Sequence, residues 1–172
     1  MTRPQTLRSF ALLFSALLFS AGSAHAIDIS GTISSTLTIT ESSRFVGDVI
    51  CTVTGAPCIA FGGSGLTLDL NGFSMTGLND PTRGCVGSGT ADGEFGIDVN
   101  AVNNVIIRGL GLIQQFRNHG IRLNNSTGAT VSGVTVSTNC FSGIIAIAGS
   151  GHLLENNVAV SNGNPASPCG GI

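Results

Sequence analysis

The chain contains no lysine, tryptophan or tyrosine, and only 9% of its residues are charged. Beyond residue 26, five arginines stand against nine acids, so the net charge there is about −4 by count. This weak acidic charge argues against nucleic acid and anionic membranes as partners. Few charges can also indicate a disordered linker, but 42% of the residues are hydrophobic and they recur periodically, which favours a folded chain.

The sequence also lacks an apolar run that is long enough to cross a membrane. The apolar stretch at residues 10–19 is far short of the ~20 residues that a spanning helix needs. It follows Arg3 and Arg8 and precedes Ala24-His25-Ala26, which is the order of parts in a secretory signal peptide. We therefore predict a signal peptide over residues 1–26, export to the periplasm or the extracellular space, and no transmembrane segment after cleavage.

The rest of the sequence carries a repeat. The dipeptide Gly-Ile recurs at residues 96–97, 120–121, 143–144 and 171–172, and each of the first three copies opens a short alternating strand. A second strand follows inside each period, and clusters of Gly, Asn, Ser and Pro separate the strands. Because neighbouring strands carry the same motif at the same phase, the pattern predicts parallel coils rather than an antiparallel sandwich.

This stacking predicts a division of the chain and two inward ladders. We assign residues 27–65 to an N-terminal cap with the first strands and residues 66–172 to the coils, with an inserted Gly-rich loop at 79–95. The predicted ladders are Val99, Leu123 and Ile147, and Leu112, Val136 and Val160. The chain stops where another coil would open, so we expect either a fragment of a longer β-helix or end-to-end self-association.

A resemblance accompanies these features. The run LDLNGFSMTG, preceded by ITESSRFVGDVICTV and followed by coils that begin with Gly-Ile, looks like the right-handed parallel β-helix repeat proteins of the pectin-lyase-like superfamily, including NosD-type periplasmic and exported members. The resemblance covers nearly the whole chain beyond residue 26 and implies an all-β fold. That superfamily includes polysaccharide lyases, hydrolases, epimerases and adhesins, so the resemblance does not fix an activity.

Five cysteines in an exported chain favour disulfides over metal binding. A Gly-Ala-Pro turn between Cys51 and Cys58 could bring these two sulfurs together. Cys140 and Cys169 occupy nearly equivalent corners of adjacent coils, where the spacing suits a bridge, and Cys85 is left over. No CxxC or HxxxH spacing indicates zinc, and we predict no metal site.

Three residues are candidates for catalysis, namely Asp98, Arg117 and His119. Polysaccharide hydrolases of similar fold use paired acids with His and Arg nearby, but this sequence has no adjacent Asp-Asp pair. A lyase would need an arginine base and calcium held by the isolated acids Asp69, Asp92, Glu94 and Asp98. We therefore predict no cofactor, and a polysaccharide lyase or glycoside hydrolase stays an alternative.

The leading hypothesis is a non-catalytic protein. Asn100 and Asn124 occupy the same position of successive coils and predict an Asn ladder, and Asp98 and Arg122 predict an exposed ion pair between strands. Many ladder-forming polar residues without a concentrated acid-base group favour a polar face that contacts a polysaccharide or a cell-surface glycan.

Overall fold

The computed structural model describes residues 26–78 and 93–163, and every regular element among them is a β-strand. The strands are β1 (Ile27–Ile33), β2 (Leu37–Ile39), β3 (Ser43–Cys51), β4 (Ile59–Phe61), β5 (Thr67–Asp69), β6 (Ser74–Thr76), β7 (Ile97–Asn100), β8 (Ile106–Arg108), β9 (Leu112–Gln114), β10 (Ile121–Asn124), β11 (Thr130–Ser132), β12 (Thr135–Ser137), β13 (Ile144–Ile147), β14 (Leu153–Glu155) and β15 (Val158–Val160).

These strands pair in parallel and form two sheets. One sheet has the order β14-β11-β8-β5-β3-β6-β9-β12-β15, with β1 also on β3, and the other has the order β13-β10-β7-β4-β2. Each strand pairs with its equivalent about one repeat away: Ile97 lies opposite Ile121, and Ile121 lies opposite Ile144. The described chain is therefore a stack of parallel coils, as the repeat predicts.

Three faces surround the core. We name the first face for β5, β8, β11 and β14, the second face for β6, β9, β12 and β15, and the third face for β2, β4, β7, β10 and β13. The long strand β3 pairs with β5 near its start and with β6 near its end, so it belongs to the first and second faces together.

One inward row of apolar side chains lines each face. The rows are Leu68, Ile107, Val131 and Leu154 on the first face, Val49, Met75, Ile113, Val136 and Ala159 on the second, and Leu37, Ile59, Ile97, Ile121 and Ile144 on the third. Most of these side chains are fully buried. Burial of aliphatic surface, at about 25 cal/mol per Å², is the main force that holds the coils together.

The Gly-Ile repeat has a packing reason. A Cβ atom on Gly96 would lie 2.5 Å from the carbonyl oxygen of Gly120, and one on Gly120 would lie 2.7 Å from the carbonyl oxygen of Gly143. Neither glycine has a positive φ, so the requirement is for space rather than for an unusual backbone conformation. Glycine stacks on glycine at the start of each third-face strand because no side chain fits between the coils.

Residues with positive φ end the short strands. Ala101, Asn125 and Ala148 follow β7, β10 and β13, with φ of 57°, 47° and 50°. The equivalent residues after β9, β12 and β15 are Gln115, Thr138 and Ser161, and those after β8, β11 and β14 are Gly109, Gly133 and Asn156. A left-handed residue cannot continue a strand, so the chain turns at each of these positions.

Asparagine side chains join one coil to the next at the corners. Asn157 accepts a hydrogen bond from the Val134 N–H and donates one to the Val131 carbonyl oxygen, at 3.0 and 2.8 Å. Asn162 acts in the same way on the Asn139 N–H and the Val136 carbonyl oxygen. These amides satisfy backbone groups that the strands leave unpaired, which gives the asparagines at these positions a structural role.

The two predicted ladders are wrong by one residue in the later coils. Leu123 pairs with Ala146 rather than with Ile147, and Val136 pairs with Ile113 and Ala159 rather than with Leu112 and Val160. The physical reason is that these steps are 23 residues and not 24. Because side chains alternate between the two sides of a strand, a slip of one residue moves each predicted core residue to the outer surface.

The ends of the predicted segments need two further statements. Residues 27–65 contribute β1 to β4 to the same parallel sheets. Glu94 and Phe95, placed in the inserted loop by sequence and expected there to be solvated, are buried. The signal peptide, most of the loop at 79–95, and Cys85, Cys169 and residues 171–172 lie outside the described residues.

We predict that Gly120→Ala destabilises the protein by about 1–3 kcal/mol, because overpacking of a close backbone contact costs about that much. Gly63→Ala is the control, since its added Cβ would meet no atom closer than 3.6 Å and the change should stay within about 0.5 kcal/mol. Urea denaturation of both variants measures the difference. Equal stability of the two variants would contradict the packing explanation for the Gly-Ile repeat.

Candidate functional site

The three candidate catalytic residues lie at one corner of the stack. Asp98 lies on β7, and Arg117 and His119 precede β10 in the next coil. Since β7 and β10 pair in register, the stacking brings this corner of the two coils together. We name these residues with Glu94, Phe95, Arg122 and Phe141 the corner cluster.

The Asp98–Arg122 ion pair is present, and it is shielded from solvent. Arg122 Nε and Nη2 donate to the two carboxylate oxygens of Asp98 at 2.8 Å each. The Arg122 guanidinium carbon also lies 4.0 Å from the centre of the Phe95 ring. Only 22% of the Arg122 side chain and 9% of the Asp98 side chain are exposed. The expectation of an exposed pair is therefore wrong, and the cause is the cover that Phe95 provides.

A second ion pair joins Arg117 to Glu94. Arg117 donates through Nε and Nη2 to both carboxylate oxygens of Glu94. Glu94 also accepts a hydrogen bond from the Gly55 N–H at 2.8 Å, which ties the corner cluster to the segment between β3 and β4. Such a pair with a further backbone hydrogen bond has the geometry that a buried charge requires.

His119 lies between two aromatic rings. Its ring stacks on Phe95 with centroids 5.9 Å apart and meets Phe141 at 5.7 Å. Burial, together with the positive charge of Arg122, lowers the pKa of His119 to about 4. Its Nδ1 accepts a hydrogen bond from the Ser142 N–H at 3.0 Å. The neutral ring therefore carries its proton on Nε2.

This geometry suits a structural joint better than acid-base catalysis. Glycoside hydrolysis needs one carboxyl group that can protonate the leaving oxygen and a second one that can activate water or attack. Glu94 and Asp98 each accept two hydrogen bonds from a guanidinium group instead. The Nδ1 of His119 is occupied by a backbone N–H. Within residues 26–78 and 93–163, no group of His, Cys, Asp and Glu could hold a metal ion.

The cysteines follow in part. Cys51 and Cys58 form a disulfide with their Cα atoms 6.0 Å apart. Cys140 is buried and also disulfide-bonded. Its predicted partner Cys169 lies outside the described residues, as does Cys85.

The two ladder asparagines lie opposite each other on the outer surface of the third face. Asn124 pairs in register with Asn100, and its Nδ2 donates to the Asn100 Oδ1 at 3.0 Å. The row does not continue, because Ile147 occupies the next position. The amides therefore form one rung-to-rung contact and not an extended polar surface.

A row of alternating charge on the first face has no counterpart in the sequence reasoning. Asp28, Arg44, Asp69, Arg108, Ser132 and Glu155 occupy one outer position of successive strands. Arg44 Nε donates to Asp28 at 2.7 Å, and Arg108 Nε donates to Asp69 at 2.9 Å. The signal for this row was available only through strand register, because Asp69 and Arg108 are 39 residues apart.

A polar groove lies along this charge row. It has a volume of about 450 Å³. Its lining is Ala26, Ser42, Ser43, Arg44, Thr67, Asp69, Asn71 and Arg108. The Asn71 N–H donates to Asp69 and the Asn71 side chain donates to the Phe45 carbonyl oxygen, so these polar groups are held in place. We name this feature the first-face groove.

No family model, curated protein or solved structure matches the chain. Among the described residues, no helix has the length and apolar character to span a membrane.

We predict that Glu94→Gln lowers the free energy of unfolding by about 2 kcal/mol, because it removes the partner of a largely buried guanidinium. Asp69→Asn is a matched control. Asp69 also pairs with an arginine and accepts a backbone N–H, but its side chain is 29% exposed against 7% for Glu94. The control should cost at most about 1 kcal/mol, and chemical denaturation at neutral pH compares the two.

The lowered pKa of His119 predicts a specific loss of stability in acid. The unfolded state takes up a proton near pH 6.5 and the folded state only near pH 4, so this contribution is fully present above pH 6.5 and falls as the pH drops through that interval. His119→Asn keeps an acceptor for the Ser142 N–H but cannot titrate. Unfolding free energies measured at pH 7 and pH 4.5 should therefore differ less for the variant than for the parent. An equal or larger difference for the variant would refute the assignment.

Proposed function

We propose that this chain is an exported right-handed parallel β-helix protein of the pectin-lyase-like type, and that it binds carbohydrate without catalysing a reaction. The signal-peptide pattern over residues 1–26 and the Cys51–Cys58 disulfide support export, because structural disulfides belong to oxidising compartments. The parallel pairing at steps of 23 and 24 residues supports the β-helix assignment.

The first-face groove carries the proposal for carbohydrate. Sugars offer many hydroxyl groups that donate and accept hydrogen bonds, and they need a surface with both kinds of partner. The groove supplies hydroxyl oxygens from Ser42 and Thr67, a carboxylate from Asp69 and guanidinium groups from Arg44 and Arg108. Each of these arginines uses its Nε–H toward a carboxylate, and a guanidinium has four further N–H donors.

The shape of the stack supports a polymeric ligand. Equivalent side chains of successive coils are separated by the ~4.8 Å spacing of paired strands. The groove spans the outer positions of β3, β5 and β8, so its polar groups repeat in one direction. A polysaccharide, whose hydroxyl groups also repeat along one direction, is the ligand class that fits this arrangement.

The rival hypothesis, a polysaccharide lyase or glycoside hydrolase, depends on the corner cluster. There, Asp98 and Arg117 are engaged in ion pairs, and the pKa of His119 is lowered by burial and by Arg122. A base with a pKa near 4 accepts protons poorly at neutral pH. These contacts favour binding over catalysis as the function of the chain.

The test is a glycan panel probed with protein that is expressed with its own leader and purified after export. We expect retention of at least one polysaccharide, and we expect the double variant Arg44→Ala/Thr67→Val to weaken that binding by about tenfold or more, since each lost polar contact to a ligand costs about 1 kcal/mol. Asn124→Ala, on the third face, is the control and should bind as the parent does.

Circular dichroism of the variants separates a loss of binding from a loss of fold. The proposal fails if the folded parent retains no glycan, or if binding depends on Asn124 and not on the groove.

A further inference from the structure

The outer surface changes from polar to apolar along the stack. On β5 and β6 the outer positions hold Thr67, Asp69, Ser74 and Thr76, whereas on β14 and β15 they hold Leu153, Glu155, Val158 and Val160. Leu153, Val158 and Val160 are 50%, 53% and 48% exposed, and Leu110, at the corner between β8 and β9, is 87% exposed. Three of the four outer positions of the last described strands are therefore aliphatic.

Such strands are unusual on a free surface. The inward positions of β14 and β15 are also apolar, namely Leu154 and Ala159. Strands that are apolar on both sides are typically covered on both sides, and a contiguous exposed apolar patch marks an interaction surface. We name Leu110, Leu112, Ile106, Leu153, Val158 and Val160 the outer patch. It lies on the first and second faces, which β3 joins into one sheet.

The outer patch matches itself through a two-fold axis. An axis along the strand direction, placed over β11 and β12, would lay β14 and β15 of one copy on β8 and β9 of the other. Leu153 then meets Ile106 of the second copy, and Val158 meets Leu112. The strands of the two sheets stay aligned, which is a common geometry for sheet-on-sheet packing, and a two-fold contact uses the same patch on both copies.

The charges fit the same axis. Glu155 of one copy meets Arg108 of the other, and Ser132, between them in the charge row, meets its own equivalent. End-to-end stacking in register, the other way to join two copies, would instead place Asp28 of one copy next to Glu155 of the other. Two acids in adjacent rungs repel each other, so the charge row favours contact through the sheet surface over contact through the ends.

We propose that two copies of this chain form a symmetric dimer through the outer patch, with reciprocal Glu155–Arg108 ion pairs at its border. The proposal does not depend on carbohydrate binding. The groove residues Ser42, Arg44 and Asn71 lie toward the opposite end of the stack from β14, so the dimer leaves that end uncovered.

The test is sedimentation velocity of the full exported protein over a wide range of concentration. We expect a monomer–dimer equilibrium, and we expect Val158→Lys to give a folded monomer. Glu155→Arg and Arg108→Glu should each weaken the dimer by about tenfold or more, because each removes two ion pairs and adds two like-charge contacts. The double variant Glu155→Arg/Arg108→Glu should restore the dimer.

Arg44→Glu is the matched control, because Arg44 occupies the same row and has the same kind of ion pair but lies outside the patch. It should leave the dimer unchanged. Circular dichroism shows that each variant is folded. A parent protein that is monomeric at every concentration overturns the proposal and means that the patch is covered in another way, for example by residues 164–172. A dimer that the double variant fails to restore overturns it as well.

Discussion

In-register pairing of equivalent parallel strands is the constraint on which the rest of this structure depends. Once Leu68 lies opposite Ile107, and Ile107 opposite Val131, the inward row is continuous and each coil buries aliphatic surface against the next. The same register also places outer side chains of like position side by side. The charge row, the Asn100–Asn124 contact and the ion pairs of the corner cluster are therefore consequences of one alignment.

The sequence is sufficient to predict the parallel coils and the contacts nearest the repeated dipeptide. Asp98, Asn100, Arg122 and Asn124 lie within four residues of a Gly-Ile pair, so counting from that pair gives their register correctly. The prediction failed farther away, at Ile147 and Val160, because adjacent corners differ in length by one residue. A difference of that size leaves no clear mark in the composition, yet it reverses the side to which a side chain points.

Other features were beyond sequence reasoning for different reasons. Ala101, Gln115 and Thr138 adopt positive φ, although such residues rarely do so, because neighbouring coils impose the turn at each corner. Glu94 lies beside a Gly-rich segment that indicates a solvated loop, yet its pairing with Arg117 makes it part of the interior. The first-face groove requires residues of β3, β5 and β8 to be brought together, which only the three-dimensional alignment reveals.

The step between equivalent strands is not constant, and its variation has a consequence for how such a chain can change. From β6 to β9 the step is 38 residues, and from β9 to β12 it is 23, an excess of 15 that also separates the step from β5 to β8 from that between β8 and β11. The ladders continue without a break across this difference. The corner between β6 and β7 is thus a graft position, where sequence of new chemical character can be added and selected while the folding of the scaffold stays the same.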